Sequence, residues 1–342
     1  MSNRIFLVAG GTGGHLFPAI ATSENDLKND YIFLVDKRTE KYFKKTKKKY
    51  HIIVSDKMKK NPIFFPLMLI RIFWGFLQSI LLLIKYKPKL IVGFGGYTSI
   101  PTVLAGKLLG KRILIHEQNA VLGRTNRLLS LLSENLALTF KRTKFASEKS
   151  IFTGIPIRKQ KLKITQTSNK RIVLLVIGGS QGASIFSNII PKIISNLDKK
   201  FLRRIIVIQQ TREEDIKALS YTYKKIGVKF KLKNFFENIQ SEINNAEIVF
   251  CRCGSSTLAE IECFKPFPIL IPLPTAIDNH QHFNALEFKK RNSCLILDQN
   301  NINYEKTSKI VIKHFFKKNI RKSKYDAEKK ISLNKVINNM LN

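Results

Sequence analysis

Short apolar runs of strand length recur along the whole chain, separated by stretches of helical length. In the first half they are Arg4–Ala9, Tyr31–Val35, His51–Val54, Lys89–Val92, Arg112–His116 and Asn135–Thr139. In the second they are Arg171–Ile177, Arg204–Gln209, Val228–Leu232, Glu247–Phe250, Pro268–Ile271 and Cys294–Leu297. Segments such as Ile100–Leu109, Gly123–Leu132 and Ser255–Phe264 read as helices between them. Strands that are apolar on both faces and alternate with helices call for parallel sheets covered on both sides, an α/β chain. Its 342 residues suffice for two such domains, each with its own core.

One run breaks this rhythm. Ile63 to Ile84 is apolar except at Pro66, Arg71, Gly75, Gln78 and Ser79, and is flanked by Lys57, Lys59, Lys60, Lys85, Lys87 and Lys89. Its length would reach across a bilayer. Arg71 inside it, and strand-like runs on either side, favour a helix lying at a membrane interface with basic flanks. The alternative is a domain helix packed under the sheet.

Charge adds a class of partner. Sixty Lys and Arg against 24 Asp and Glu give a formal charge of +36, which suits nucleic acid, anionic lipid or phosphorylated ligands. The lysines are spread through loops and tail, so much of this excess reads as solvated surface. The four cysteines, Cys251, Cys253, Cys263 and Cys294, lie in apolar runs of the second half and suggest reduced, mostly buried thiols. Met1 to Ala9 runs straight into a Gly-rich loop and is too short for a signal peptide, so a cytoplasmic protein is expected.

An internal echo organises the chain. Val8-Ala9-Gly10-Gly11-Thr12-Gly13-Gly14 and Val176-Ile177-Gly178-Gly179-Ser180-Gln181-Gly182 share a strand, a Gly-Gly-[Ser/Thr]-x-Gly turn and a following helix. The polar stretch Lys159–Lys170 between them reads as a linker. The expected domains are 1–157, 158–318 and a Lys-rich helical tail over 319–342. Such turns bring backbone N–H groups to an anion at a helix N-terminus. Neither is a dinucleotide G-x-G-x-x-G, because Leu16 stands where the last Gly would be, and neither is followed by Gly-Lys-[Ser/Thr].

Further polar motifs end neighbouring strands. Gly93-Phe94-Gly95-Gly96-Tyr97-Thr98 and His116-Glu117-Gln118-Asn119 would meet Gly13 and His15 at the carboxyl edge of the first sheet, where doubly wound folds bind ligands. In the second half, Cys253-Gly254-Ser255-Ser256-Thr257-Leu258-Ala259-Glu260 opens a helix suited to a pyrophosphate, with Glu260 placed to accept from ribose hydroxyls. Asp278-Asn279-His280-Gln281 is a polar loop suited to sugar hydroxyls.

Taken in order from Arg4 to about Asp298, these motifs closely resemble the MurG family of N-acetylglucosaminyltransferases of peptidoglycan synthesis. The resemblance implies a GT-B fold, two Rossmann-like domains facing across a cleft, with the C-terminal helix crossing back to the first. It implies an inverting transfer of GlcNAc from UDP-GlcNAc to the MurNAc 4-hydroxyl of lipid I, giving the β-1,4 link of lipid II, on the cytoplasmic face of the inner membrane. The donor residues it implies are Thr12, Gly13, Gly14, Asn119, Arg158, Ser180, Phe236, Ser255, Ser256, Thr257, Leu258, Ala259, Glu260 and Gln281, with Tyr97 on the acceptor side. Ser180 would sit near the phosphates, Phe236 would read the uracil edge through its backbone, and Ile63–Ile84 would dock on the anionic membrane. Ile155 and Cys253 depart from the family pattern, which usually has Asn and a smaller residue there.

Three choices stay open at this level. His15 is either the base that takes the acceptor proton or a residue that only orients its loop. Cys251, Cys253 and Cys263 with His280 and His282 lack a standard zinc spacing, and there is no Asp-x-Asp, so neither a metal nor a cofactor is required. The competing functions are a GT-B relative with another acceptor, such as a diacylglycerol glycosyltransferase or a UDP-sugar epimerase, and a basic nucleic-acid-binding protein. The latter has no RNP-like or helix-turn-helix motif here and leaves the glycine loops unexplained, so no nucleic-acid partner is expected.

Overall fold

The computed structural model describes residues 3–44, 46–56, 62–158, 171–179, 184–316 and 330–342. The expected linker Lys159–Lys170, Ser180 and the start of the tail lie outside the described residues. Residues 3–158 with 330–342 form one compact unit, and 171–316 form the other.

The first unit holds seven strands, β1 (Arg4–Val8), β2 (Asp30–Val35), β3 (Tyr50–Ile52), β4 (Leu90–Gly93), β5 (Arg112–Glu117), β6 (Asn135–Leu138) and β7 (Ile151–Phe152), in the order β3-β2-β1-β4-β5-β6-β7. Every pair is parallel. The sequence predicts all but β7, two residues at the sheet edge with no run long enough to read. The helices are α1 (Gly13–Glu24), α2 (Phe65–Tyr86), α3 (Ser99–Leu108) and α4 (Arg124–Leu129). Alternation along β1 explains the doubly apolar pattern. Ile5 and Leu7 pack with Leu16 and Ala19 of α1, whereas Phe6 and Val8 pack with Leu83 of α2 and Ala105 of α3.

The second unit repeats the plan with β8 (Ile172–Ile177), β9 (Ile205–Gln210), β10 (Lys229–Lys233), β11 (Ile248–Cys251), β12 (Phe267–Leu270) and β13 (Leu295–Ile296), in the parallel order β10-β9-β8-β11-β12-β13. Its helices are α5 (Phe186–Ser195), α6 (Lys199–Leu202), α7 (Ile216–Ile226), α8 (Ile239–Asn244), α9 (Ser255–Phe264), α10 (His280–Arg291) and α11 (Tyr304–Phe316). Leu174 and Val176 of β8 pack against Ile189, Ile190 and Ile193 of α5, in a core that includes Tyr223 and Val311.

The last helix, α12 (Leu333–Leu341), belongs to the first unit. The Ser332 hydroxyl accepts from the Lys335 N–H and caps it. Leu333, Val336 and Ile337, spaced for one helix face, join Ile5 and Leu7 in the core. Asn334 donates to the Thr22 carbonyl at 3.1 Å.

Helix α2 is patterned inside out, and its polar interruptions form the face that docks on the domain. Met68, Gly75, Ser79 and Leu83 are buried. A Cβ at Gly75 would stand 1.9 Å from the Val54 carbonyl oxygen, so only glycine allows this approach. Ser79 shares a hydrogen bond with Thr102 at 3.0 Å, and the Gln78 side chain accepts from the Val54 N–H. Arg71 is neutralised by Asp56 at 2.7 Å. The large residues point outward: Phe73 and Trp74 are each 58% exposed, alongside exposed Leu67, Ile70, Leu81 and Ile84. One face of this segment is thus a domain helix packed under the sheet, and the other is an exposed apolar face. Among the described residues, α2 is the one helix long and apolar enough to cross a membrane.

Candidate active site

In both sheets the strand order reverses beside the first strand, between β1 and β4 and between β8 and β11. Such switch points open a ligand crevice at the carboxyl edge, and the glycine turns lie there. In the first unit, Gly11 takes φ +85°, a conformation that favours glycine. Its N–H donates to Asp36 Oδ2 at 3.0 Å. Asp36, buried just past β2, also accepts from Tyr97 Oη at 2.7 Å, from Arg38 and from Thr39. Sequence reasoning passed over Asp36, although an acid closing the second strand of such a unit is a recognisable signal. Tyr97 thus spends its hydroxyl on the loop, with the Arg38 guanidinium 5.2 Å from its ring centre. Thr12 caps α1 with extended backbone and no side-chain bond; Gly13, Gly14 and His15 form the first turn.

The strand-end motif after β5 lies against this turn. His15 Nδ1 is 2.7 Å from Gln118 Oε1, and the Gln118 amide continues to His116, whose Nε2 reaches the Gly154 carbonyl at 3.0 Å. Glu117, also buried, accepts four hydrogen bonds: from the N–H and side-chain amide of Asn119, the N–H of Gly123 and the side chain of Asn126. The sequence motif includes Glu117 and Gln118 without giving either a role; in the structure they organise Asn119 and His15. Arg158 lies with its guanidinium 5.0 Å from the Phe17 ring centre.

Burial pushes the pKa of His116 down to about 4, outweighing the raising effect of the Gly154 carbonyl. The unfolded residue titrates near 6.5. The folded state therefore refuses a proton that the unfolded state accepts, and stability is complete above pH 6.5 and lost as pH falls from 6.5 to 4. The expected loss is about 3 kcal/mol. Urea midpoints measured from pH 8 to 4.5 test it, with a His116→Gln variant expected to lack this portion of the acid sensitivity.

In the second unit the Gly178 N–H donates to Gln210 Oε1 at 3.2 Å. Gln210 ends β9 as Asp36 follows β2, so the internal echo extends to the residue that pins each loop. Gly254 starts α9 with no side-chain cap. Ser255 is buried, the Ser256 hydroxyl is buried without a protein partner, and Thr257 and Ala259 are half-buried. Leu258 is packed in the core with its N–H on the Gly254 carbonyl, so it shapes the turn. Glu260 lies one turn on, 3.4 Å from the Gln240 amide. Phe236 is buried beneath the Lys233 ammonium.

Gln281 has a more specific position than the sequence suggests. Its Oε1 accepts from the N–H groups of Cys253 and Leu273, which leaves the amide NH₂ as its other hydrogen-bonding end. Asp278 and Asn279 before it both take positive φ, 51° and 53°, an uncommon pair for non-glycine residues. Cys251 and Cys253 are buried, which pushes their thiols up in pKa, whereas Cys263 is exposed and Cys294 half-buried, contrary to the expectation of mostly buried cysteines. Among the described residues no group of three or more His, Cys, Asp or Glu side chains could hold a metal.

Two parallel-sheet units, each with a ligand crevice at its switch point, fit the architecture of two-domain GT-B glycosyltransferases. The family models described as glycosyltransferase family 28 N-terminal domain and C-terminal domain match residues 5–138 and 173–340. The UDP-N-acetylglucosamine–N-acetylmuramyl-(pentapeptide) pyrophosphoryl-undecaprenol N-acetylglucosamine transferase of Rickettsia canadensis is 38% identical over 313 residues, 87% of each chain. The protein of the same name from Sinorhizobium fredii is 35% identical, over 90% of this chain and 85% of its own. The crystal structure of Acinetobacter baumannii MurG shares the fold, with TM-score 0.73 at 24% identity over 91% of this chain and 90% of its own. The chain belongs to glycosyltransferase family 28, in the branch of the MurG N-acetylglucosaminyltransferases.

Proposed function

We propose that this protein moves GlcNAc from UDP-GlcNAc to the MurNAc 4-hydroxyl of lipid I, forming lipid II with inversion at the anomeric carbon. What carries this reading is that relatives named for the activity match 87% of both chains at 38% identity. In the proposed reaction His15 Nε2 takes the proton of the acceptor hydroxyl as its oxygen attacks C1, and the C1–O bond to UDP breaks. The free N–H groups at the start of α9, with Ser255, Ser256, Thr257 and Ala259, receive the departing diphosphate, and Arg158 offsets its charge. The resemblance assigns Ser180 to the donor phosphates, the Phe236 backbone to uracil and Gln281 to GlcNAc, to which its amide would donate. The resemblance also assigns Thr12, Gly13, Gly14 and Asn119 to donor binding, and Tyr97 to the acceptor side.

The two glycine loops are pinned differently, Gly11 by a carboxylate that is itself paired with Arg38 and Gly178 by a neutral amide. Incubation with UDP-GlcNAc and a lipid I analogue tests the reading. The expected product is the β-1,4-linked disaccharide lipid; transfer to diacylglycerol instead, or epimerisation of the donor alone, would overturn it. Glu260→Ala is expected to raise the KM for UDP-GlcNAc roughly ten- to a hundredfold, the worth of a charged hydrogen bond to ribose, with kcat little changed. An unchanged KM removes the ribose assignment.

The outward face of α2, with Lys85, Lys87 and Lys89 at its end, reads as a peripheral anchor for an anionic membrane on the cytoplasmic side. Each lysine near such a surface contributes about 1 kcal/mol. Changing the three to Glu is therefore expected to weaken binding to phosphatidylglycerol vesicles at least about a hundredfold at low salt. Binding indifferent to both charge and salt contradicts the anchor.

A further inference from the structure

The hydrogen bonds behind His15 determine which of its nitrogens holds the proton. At one end of the row, His116 Nε2 meets the Gly154 carbonyl at 3.0 Å. A carbonyl only accepts, so this nitrogen carries the hydrogen and His116 Nδ1 holds a lone pair. Gln118 Nε2 sits 3.0 Å from that lone pair and 2.8 Å from the His116 carbonyl, a second group that only accepts. Both contacts require the NH₂ of the amide on this side, which fixes Oε1 toward His15 at 2.7 Å. Oε1 cannot donate. The proton of neutral His15 therefore belongs on Nδ1 and its lone pair on Nε2, to which no other described residue hydrogen-bonds.

We propose that Gln118, oriented by His116, is a positioning residue that locks His15 in the Nδ1–H tautomer and so presents Nε2 as a standing proton acceptor. The proposal rests on the reading of His15 as the base and deepens it. Free histidine in water favours the opposite tautomer, with the hydrogen on Nε2, so without the lock the larger share of His15 would face the acceptor as a donor. Burial of His116 reinforces the arrangement, since a histidine kept neutral retains the lone pair that holds the amide. A flipped amide would turn its oxygen toward two acceptors and lose both contacts to His116, while its NH₂ could donate to His15 Nδ1 only in the Nε2–H tautomer. The row also explains two polar side chains, 0% and 1% exposed, that touch no substrate in the proposed mechanism.

The test is the tautomer itself, read by long-range ¹H–¹⁵N correlation spectra of the full-length ¹⁵N-histidine-labelled enzyme at pH 8. His15 is expected to show a protonated Nδ1 and an unprotonated Nε2, and His116 the reverse. A wild-type His15 with its hydrogen on Nε2 overturns the proposal without recourse to any variant. Gln118→Met, similar in length but without the amide, is expected to release His15 to the solution-like mixture and lower kcat roughly tenfold or more, with the KM for UDP-GlcNAc little changed. A Gln118→Met enzyme that keeps the Nδ1–H tautomer and full kcat also overturns it. The base reading fails separately: a locked His15 in an enzyme whose His15→Ala variant is fully active removes the base and leaves the lock standing.

Discussion

His15→Ala is expected to lower kcat for GlcNAc transfer roughly 10²- to 10⁴-fold, the usual contribution of a positioned general base. The KM for UDP-GlcNAc should stay within about threefold, because the groups proposed to hold the nucleotide, α9 and Gln281, belong to the other unit. The expectation rests on where the imidazole is held. It sits in the first turn of α1, behind a loop pinned by Asp36, and its Nδ1 is taken by Gln118. Only Nε2 remains to meet a hydroxyl. Steady-state kinetics with a lipid I analogue measure the effect; a kcat within threefold of wild type would falsify the assignment and leave His15 as a loop-orienting residue.

The second large effect belongs to Glu117. Its carboxylate is the shared acceptor for four neutral N–H donors, from Asn119, Gly123 and Asn126. Glu117→Ala removes this acceptor from one buried residue, Asn126, and two half-buried ones, Asn119 and Gly123, at about 1–3 kcal/mol for each donor that finds no replacement. An overall loss of about 3–5 kcal/mol is expected, measured as a lowered urea midpoint for the first unit. Glu117→Gln is a sharper probe. Its oxygen can serve either Asn119 or the Gly123 and Asn126 pair, and its NH₂ then confronts donors on the other side, so the near-isosteric change is expected to cost about half as much. A loss below about 1 kcal/mol for both variants would show that the site relaxes around the gap.

Much of this architecture can be read from the chain because its strands are apolar on both faces and its turns are rich in glycine. Both signals are local. The fold and the switch-point location of the loops follow from them, and the resemblance carried by the motifs extends to the family. What stayed hidden depends on distance through space. Asp36 is 25 residues from the Gly11 N–H it accepts, and Gln118 is 103 residues from His15. Nothing in the residues flanking either announces the partner. The polar interruptions of α2 are hard to read for the same reason. Gly75, Gln78 and Ser79 look like flaws in a membrane-facing run until Val54 and Thr102 are seen against them. Strand β7 escaped because two residues carry no period.

The position of α12 has a consequence for how the chain is made. Its Leu333, Val336 and Ile337 complete a core whose first members, Ile5 and Leu7, leave the ribosome more than 300 residues earlier. During synthesis the second unit, encoded in between, has all its described strands and helices available first. The N-terminal sheet must meanwhile wait with α1 on this face but the part that α12 covers still open, the kind of transiently exposed apolar surface that invites aggregation. The first unit to be translated is the last to be finished.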